Sequence, residues 1–187
     1  MIKAAAIIVT GLPASGKTTV AKELAFGLGW PLLDKDDLLE KLFEEYPVYS
    51  FDDRKHLSRL SDDLFREKAE NLNNAVLVSH WKPRLGCFDT GTVTEWIPDK
   101  FRNIIEVYCA CRPQIAMTRF KLRKRHPSHL DSSRAPKDVE RQLMSLAELY
   151  PLNLGTTLSI NTEKPYDIEE LLRLIEATSF NLSSSQS

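Results

Sequence analysis

The run GLPASGKT at residues 11–18 constrains this chain more than any other stretch. Gly11, four residues, then Gly16-Lys17-Thr18 is the P-loop spacing G-x-x-x-x-G-K-[ST]. Glycines let the backbone curl until successive N–H groups point inward at a phosphate. Gly11, Leu12, Pro13, Ala14, Ser15, Gly16, Lys17, Thr18 and Thr19 are therefore the candidate nucleotide cradle. Lys17 is expected on the β- and γ-phosphates of a bound nucleotide, and the Thr18 hydroxyl on Mg2+. The setting fits. AAAIIVT (4–10) is a continuous apolar run of the kind a buried parallel strand shows. TTVAKELAFGLG follows as a helix, with Val20, Leu24 and Leu28 spaced four apart and glycines near its end.

The same alternation continues. WPLL (30–33) reads as a second strand, and DKDDLLEKLFEEYP as an acid-capped helix halted by Pro47. Residues 52–72 read as an amphipathic helix with Leu57, Leu60 and Leu64 on one side. AVLVSHW (75–81) is a buried strand, 82–103 a mostly irregular stretch and NIIEVYCACRP (103–113) another strand. A basic helix breaking at Pro127, a helix over 135–151, a strand over 156–165 and a helix over 167–177 complete the series. Residues 178–187 are polar and serine-rich, and read as a disordered tail after one domain over 1–177. Strands alternating with helices imply an α/β fold, a mainly parallel sheet covered on both faces.

Composition narrows the function classes. A net charge of -1 gives no general attraction for nucleic acid. Three cysteines, at 87, 109 and 111, make no disulfide scaffold and suit a reducing compartment. Cys109 and Cys111 alternate in a strand and are expected on one side as small buried residues. No apolar stretch reaches the roughly 18 residues that span a bilayer. The start has neither the length nor the cleavage site of a signal peptide. A cytoplasmic protein without membrane attachment is expected; its oligomeric state is open.

In such sheets ligands bind beyond the carboxyl ends of the strands. Three groups lie there. Asp34, Asp36 and Asp37 follow the second strand, where a carboxylate can take the proton of an acceptor hydroxyl and another can cap the helix. Ser79-His80-Trp81-Lys82 follow the third, either touching an acceptor or forming a satisfied rim. Arg119, Lys121, Arg123, Lys124 and Arg125 place five positive charges in seven residues, with Arg119 and Arg123 expected on one helix face. Such a helix can close over phosphates as a lid, or be a solvated face. His126 and His129 are expected to pack at the helix end or lid, since no third ligand suggests a metal.

GLPASGKTT, LLDKDDLLEKL, VLVSHW and RFKLRKRHPSHLD together resemble the P-loop kinases grouped with polynucleotide kinase and zeta toxin, over residues 4–175. The resemblance is strongest to the many small kinases there without an assigned substrate. It implies a three-layer P-loop NTPase fold with a five-stranded sheet and a helical lid. It also implies ATP with Mg2+, and transfer of the γ-phosphate to a hydroxyl. Asp36 matches the aspartate that acts as the acceptor's base, and Arg119, Arg123 and Arg125 match the lid arginines. Ser128 stands where Gly is commoner, and Val78 where many relatives carry an acidic residue. The expected activity is a kinase acting on a small molecule or nucleotide, with Lys17, Asp36, Arg119 and Arg123 as catalytic residues and Arg125 as a nucleotide ligand. A polynucleotide 5′-hydroxyl kinase and an ATP-binding module with slow hydrolysis are the alternatives. The Asn-Lys-x-Asp stretch of a GTPase does not occur.

Overall fold

The computed structural model describes residues 4–85 and 90–184. Its elements run β1 (Ala5–Thr10), α1 (Lys17–Leu28), β2 (Leu32–Asp34), α2 (Lys35–Glu45), α3 (Phe51–Glu70), β3 (Asn74–Val78), α4 (Ile97–Lys100), β4 (Asn103–Ala110), α5 (Pro113–Leu122), α6 (Pro136–Ala147), β5 (Thr156–Asn161) and α7 (Ile168–Ser184). The five strands form one sheet in the order β2-β3-β1-β4-β5, and every pairing is parallel. The P-loop strand thus lies at the centre, between β3 and β4.

Successive strand residues point to opposite faces, and each face has its own core. Ile7, Val9, Val76, Val78 and Val107 pack under Val20 and Leu24 of α1 and Leu171 and Ile175 of α7. Ala6, Ile8, Ala75 and Leu77 pack against Phe65 and Ala69 of α3, with Trp81, Trp96 and Phe101. Burying each large side chain contributes roughly 1.5–3 kcal/mol. Two smaller cores hold the periphery. Leu12 of the P-loop joins Ala116 and Phe120 of α5 and Val139, Leu143 and Leu146 of α6. Leu39, Leu42 and Phe43 of α2 meet Leu57 of α3.

One buried carboxylate ties the layers together. Glu106, on β4 next to the central strand, is fully buried. Its Oε1 accepts from the Thr10 hydroxyl at 2.6 Å and the Leu152 N–H at 2.8 Å. Its Oε2 accepts from the Leu154 N–H at 3.2 Å and the Thr157 hydroxyl at 3.4 Å. Four donors converge there, so the carboxylate is hydrogen-bonded as burial requires.

Several boundaries differ from the sequence reading. The strand expected over 75–81 ends at Val78, because Trp81 leaves the sheet as a core pillar: it is fully buried and its indole donates to the Val9 carbonyl at 2.9 Å. The stretch expected to be irregular contains α4 and a bridge between Trp81 and Thr92, and residues 86–89 within it lie outside the described residues. The basic helix stops at Leu122, before Pro127. Arg123 has extended φ/ψ, and two short 3-10 turns follow before α6. The closing helix continues to Ser184, through most of the stretch expected to be disordered; 185–187 lie outside the described residues. Cys111 falls one residue past β4, so it joins the α5–α6 core while Cys109 joins the sheet core, rather than sharing one side.

Candidate active site

The site grows from the carboxyl edge of the sheet. After β1 the chain turns through Gly11 (φ 135°), Ala14 (φ 63°) and Gly16 (φ 96°). A Cβ on Gly11 would stand 2.7 Å from the Cys109 carbonyl oxygen, so both conformation and space require glycine there. Gly16 caps α1 without a side chain, leaving the helix's first N–H groups facing the loop. The Lys17 ammonium donates to the carbonyls of Gly11 (3.0 Å) and Leu12 (2.7 Å), inside the curl. Burial lowers its pKa to about 8. Ser15 keeps a buried hydroxyl without a partner among the described residues.

Next to the loop, the Thr18 hydroxyl donates to Asp34 Oδ2 at 3.1 Å. Asp34 Oδ1 accepts the Asp36 N–H at 2.9 Å and so caps α2. Burial, with the neighbouring Asp36 charge, raises the Asp34 pKa to about 6. Asp34 pairs in register with Val78, so β2 brings a carboxylate beside the β3 position that holds valine here. A hard, oxygen-ligated Mg2+ fits the Thr18–Asp34 pair, and a phosphate chain fits the curled loop with its buried ammonium.

Asp36 follows in the first turn of α2. Its Oδ2 takes a short ion pair from Arg125, and the side chain is 49% exposed. Burial opposes its ionisation, but Arg125, Lys17 and Lys35 hold the carboxyl below its usual range. Lys35, between the two aspartates, is nearly buried and bonds Asp62 Oδ1 (2.7 Å) and Ser58 Oγ (3.1 Å) of α3. Asp62 Oδ1 also accepts from Thr92, whose hydroxyl meets that of Ser79. His80 faces the charges of Lys17, Lys35 and Asp36; burial lowers its pKa to about 3, so the ring is neutral, and its Nδ1 has no partner among the described residues.

The lid arginines separate. Arg119 reaches the Thr162 carbonyl at 2.7 Å, just past β5. Arg123 pairs with Asp131 at 2.7 Å and lies over the Phe120 ring at 4.2 Å. They do not share a helix face, because α5 has ended before Arg123. The lid rests on α2: His126 stacks on Phe43 at 5.4 Å, and His129 meets its edge at 5.1 Å. His129 Nε2 bonds Glu40 at 2.8 Å. Both histidines pack the lid, as the sequence suggested. Sequence reading missed Asp34 as the partner of Thr18, Lys35 and two further arginines, Arg54 and Arg134. Arg54, Ser58 and Asp62 form an i, i+4, i+8 polar stripe on α3 that could have signalled it.

A family profile described as an AAA domain matches residues 7–144. This chain belongs to that AAA-domain family of P-loop proteins. The AAA domain is similar to a crystal structure from Chloroflexus aurantiacus described as a "putative kinase": TM-score 0.80, 25% identity, covering 94% of this chain and 98% of that one. Among curated proteins it is similar to "Probable gluconokinase" of Xenopus tropicalis, 37% identical over 103 residues, 52% of this chain and 54% of that protein. It is also similar to "Adenylate kinase 8" of Rattus norvegicus, 31% identical over 97 residues, 50% of this chain and 18% of that protein. The chain thus spans 54% or less of the length of these curated relatives. No helix among the described residues is long and apolar enough to cross a membrane.

Proposed function

We propose that this AAA domain is an ATP-dependent phosphotransferase that moves the γ-phosphate to a hydroxyl of a small molecule or nucleotide. The observation that carries the reading is the convergence of Lys17, the Thr18–Asp34 pair and the Arg125–Asp36 pair at one edge of the sheet. Likeness to proteins named as kinases supports it. Bound ATP and Mg2+ supply the phosphoryl group and the metal charge that neutralises it. Gly11 through Thr19 bind the phosphates, with Lys17 as the cation among them. Thr18 would hold Mg2+, with Asp34 orienting the Thr18 hydroxyl. Asp36 accepts the proton of the acceptor hydroxyl, and Arg125 holds that carboxylate ionised and in place. Arg119, at the β5 end, and Arg123 and Arg125, at the lid, surround charge developing on the transferring group. The enzyme acts with a cytoplasmic substrate pool. The narrower kinship with polynucleotide kinase and zeta toxin rests on the DKDD and RHPSH stretches.

The test uses ATP labelled at the γ-phosphate, with wild-type protein and Asp36→Asn. Small metabolites, 5′-hydroxyl oligonucleotides and water are offered in separate arms. Label should move to a metabolite, and the rate should fall about 10²–10⁴-fold in Asp36→Asn while ATP affinity holds. Label reaching only water, at equal rates in both proteins, overturns the assignment. Label on the oligonucleotide moves the acceptor to the polynucleotide class.

A further inference from the structure

Charge around the acceptor side does not balance. Arg54 lies within electrostatic reach of Arg125, Arg134, Asp36 and Asp131, and Arg123 within reach of Arg125, Asp36 and Asp131. The two carboxylates are taken: Asp36 by Arg125, and Asp131 by Arg123 at 2.7 Å and Arg125 at 3.5 Å. Arg134 spends one nitrogen on the neutral Gln142 amide, at 2.6 Å, and lies 5.8 Å from the Phe120 ring. Arg54 makes no side-chain hydrogen bond or ion pair among the described residues, and its Nε is shut off from solvent without a partner. Arg54 stands one helical turn before Ser58 on the α3 face that meets Lys35, the residue preceding Asp36. Two half-buried guanidinium groups with no carboxylate partner among the described residues therefore stand near Asp36, Arg54 within its electrostatic reach and Arg134 within reach of Arg54.

We propose that Arg54 and Arg134 bind an oxyanion group, a carboxylate or a phosphate, carried by the acceptor molecule. The proposal rests on the phosphotransferase reading and names the class of its acceptor: an anionic alcohol, its hydroxyl at Asp36 and its charged group on the two arginines. A guanidinium offers a planar fork of donors matched to two oxygens of such a group. Partly buried cations without counter-charge are costly in the free protein, and an anion relieves that cost. Neutral sugars and nucleosides leave both arginines unmatched, so the same pair rejects them.

Binding is measured by calorimetry on the whole chain with ADP and Mg2+ saturating the P-loop. The probes are malonate, inorganic phosphate and the neutral malonamide. Malonate or phosphate should bind, malonamide should not, and affinity should fall about tenfold in Arg54→Gln and in Arg134→Gln. Binding of malonate alone assigns a carboxylate acceptor; of phosphate alone, a phosphorylated one. No binding by either anion, or equal affinity in wild type and both variants, overturns the proposal. Arg134→Gln also gives up its Gln142 and Phe120 contacts; should it fail to fold, Arg54→Gln, which loses no side-chain partner among the described residues, decides the matter. Failure of ADP to bind, or of label to move in the transfer assay, counts against the phosphotransferase reading, whereas loss of anion selectivity counts against the arginine pair alone.

Discussion

The Thr18 hydroxyl and the Asp34 carboxylate meet at 3.1 Å across 16 residues of chain, joining the P-loop to the start of α2. Asp34 is 6% exposed, and burial, then Asp36, raises its pKa from 3.8 to about 6. Between those values the folded chain holds a proton that the unfolded chain has released, so this group's contribution to stability falls as pH rises through that window. Above about pH 6 the ionised carboxylate costs stability. Asp34→Asn should therefore stabilise the protein by about 1–2 kcal/mol at pH 7.5 and by almost nothing below about pH 4. It should also weaken Mg2+-dependent ATP binding. Urea unfolding at the two pH values checks this; equal destabilisation at both would sink the argument.

Glu106→Ala strands four donors around an apolar side chain. Unsatisfied buried donors cost about 1–3 kcal/mol each, though relaxation recovers part. A loss of about 3–5 kcal/mol is expected, with a fall in melting temperature on the order of 10 °C. Glu106→Gln keeps the shape but turns an N–H₂ toward donors, and should lose about half as much. A Glu106→Ala protein within about 1 kcal/mol of wild type would show that the knot at β4 does not hold the sheet to the 152–154 turn.

The lid's seat on α2 gives a third expectation. Phe43 is 6% exposed and carries both His126 and His129. Phe43→Ala should cost about 3 kcal/mol and loosen the segment after α5. Trypsin should then cut at Arg123, Lys124 or Arg125 several-fold faster than in wild type. Burial, with the Arg125 charge, lowers the pKa of His129, so its bond to Glu40 is a neutral hydrogen bond near pH 7. In acid the unfolded chain takes up a proton that the folded ring refuses, and this contact's contribution declines as pH drops below about 6.5. Cleavage rates unchanged by Phe43→Ala would mean that the lid is held elsewhere.

Much of this was legible in the residues. The run from Ala4 to Thr18 read correctly as strand, loop and helix, because a buried parallel strand and a glycine-rich cradle leave strong local signals. Alternation of strands and helices was enough for the parallel sheet. The lid read poorly. Arg119 and Arg123 are four apart in sequence, and only the helix end at Leu122, set by packing and by the turns ahead, separates them. Glu106 carried no signal at all: one acid in an apolar strand looks like an edge residue until its four donors arrive from distant segments. The polar stripe on α3 could have drawn notice to Arg54, but that it and Arg134 lack a counter-charge was hidden for the same reason, since that is a property of three-dimensional surroundings. Asp34 was assigned with its neighbours as cap or catalyst, and it caps α2 while also serving the P-loop threonine.

Asp34, Lys35 and Asp36 are consecutive, yet each faces a different part of the molecule: the P-loop, helix α3 and the lid. The first turn of α2 is therefore a three-way joint. A rotation of that turn that improves one attachment must strain or release the other two, because three adjacent backbone positions cannot move independently. The nucleotide side, helix α3 and the lid thus share one helical turn as their common attachment, each one covalent step from the next.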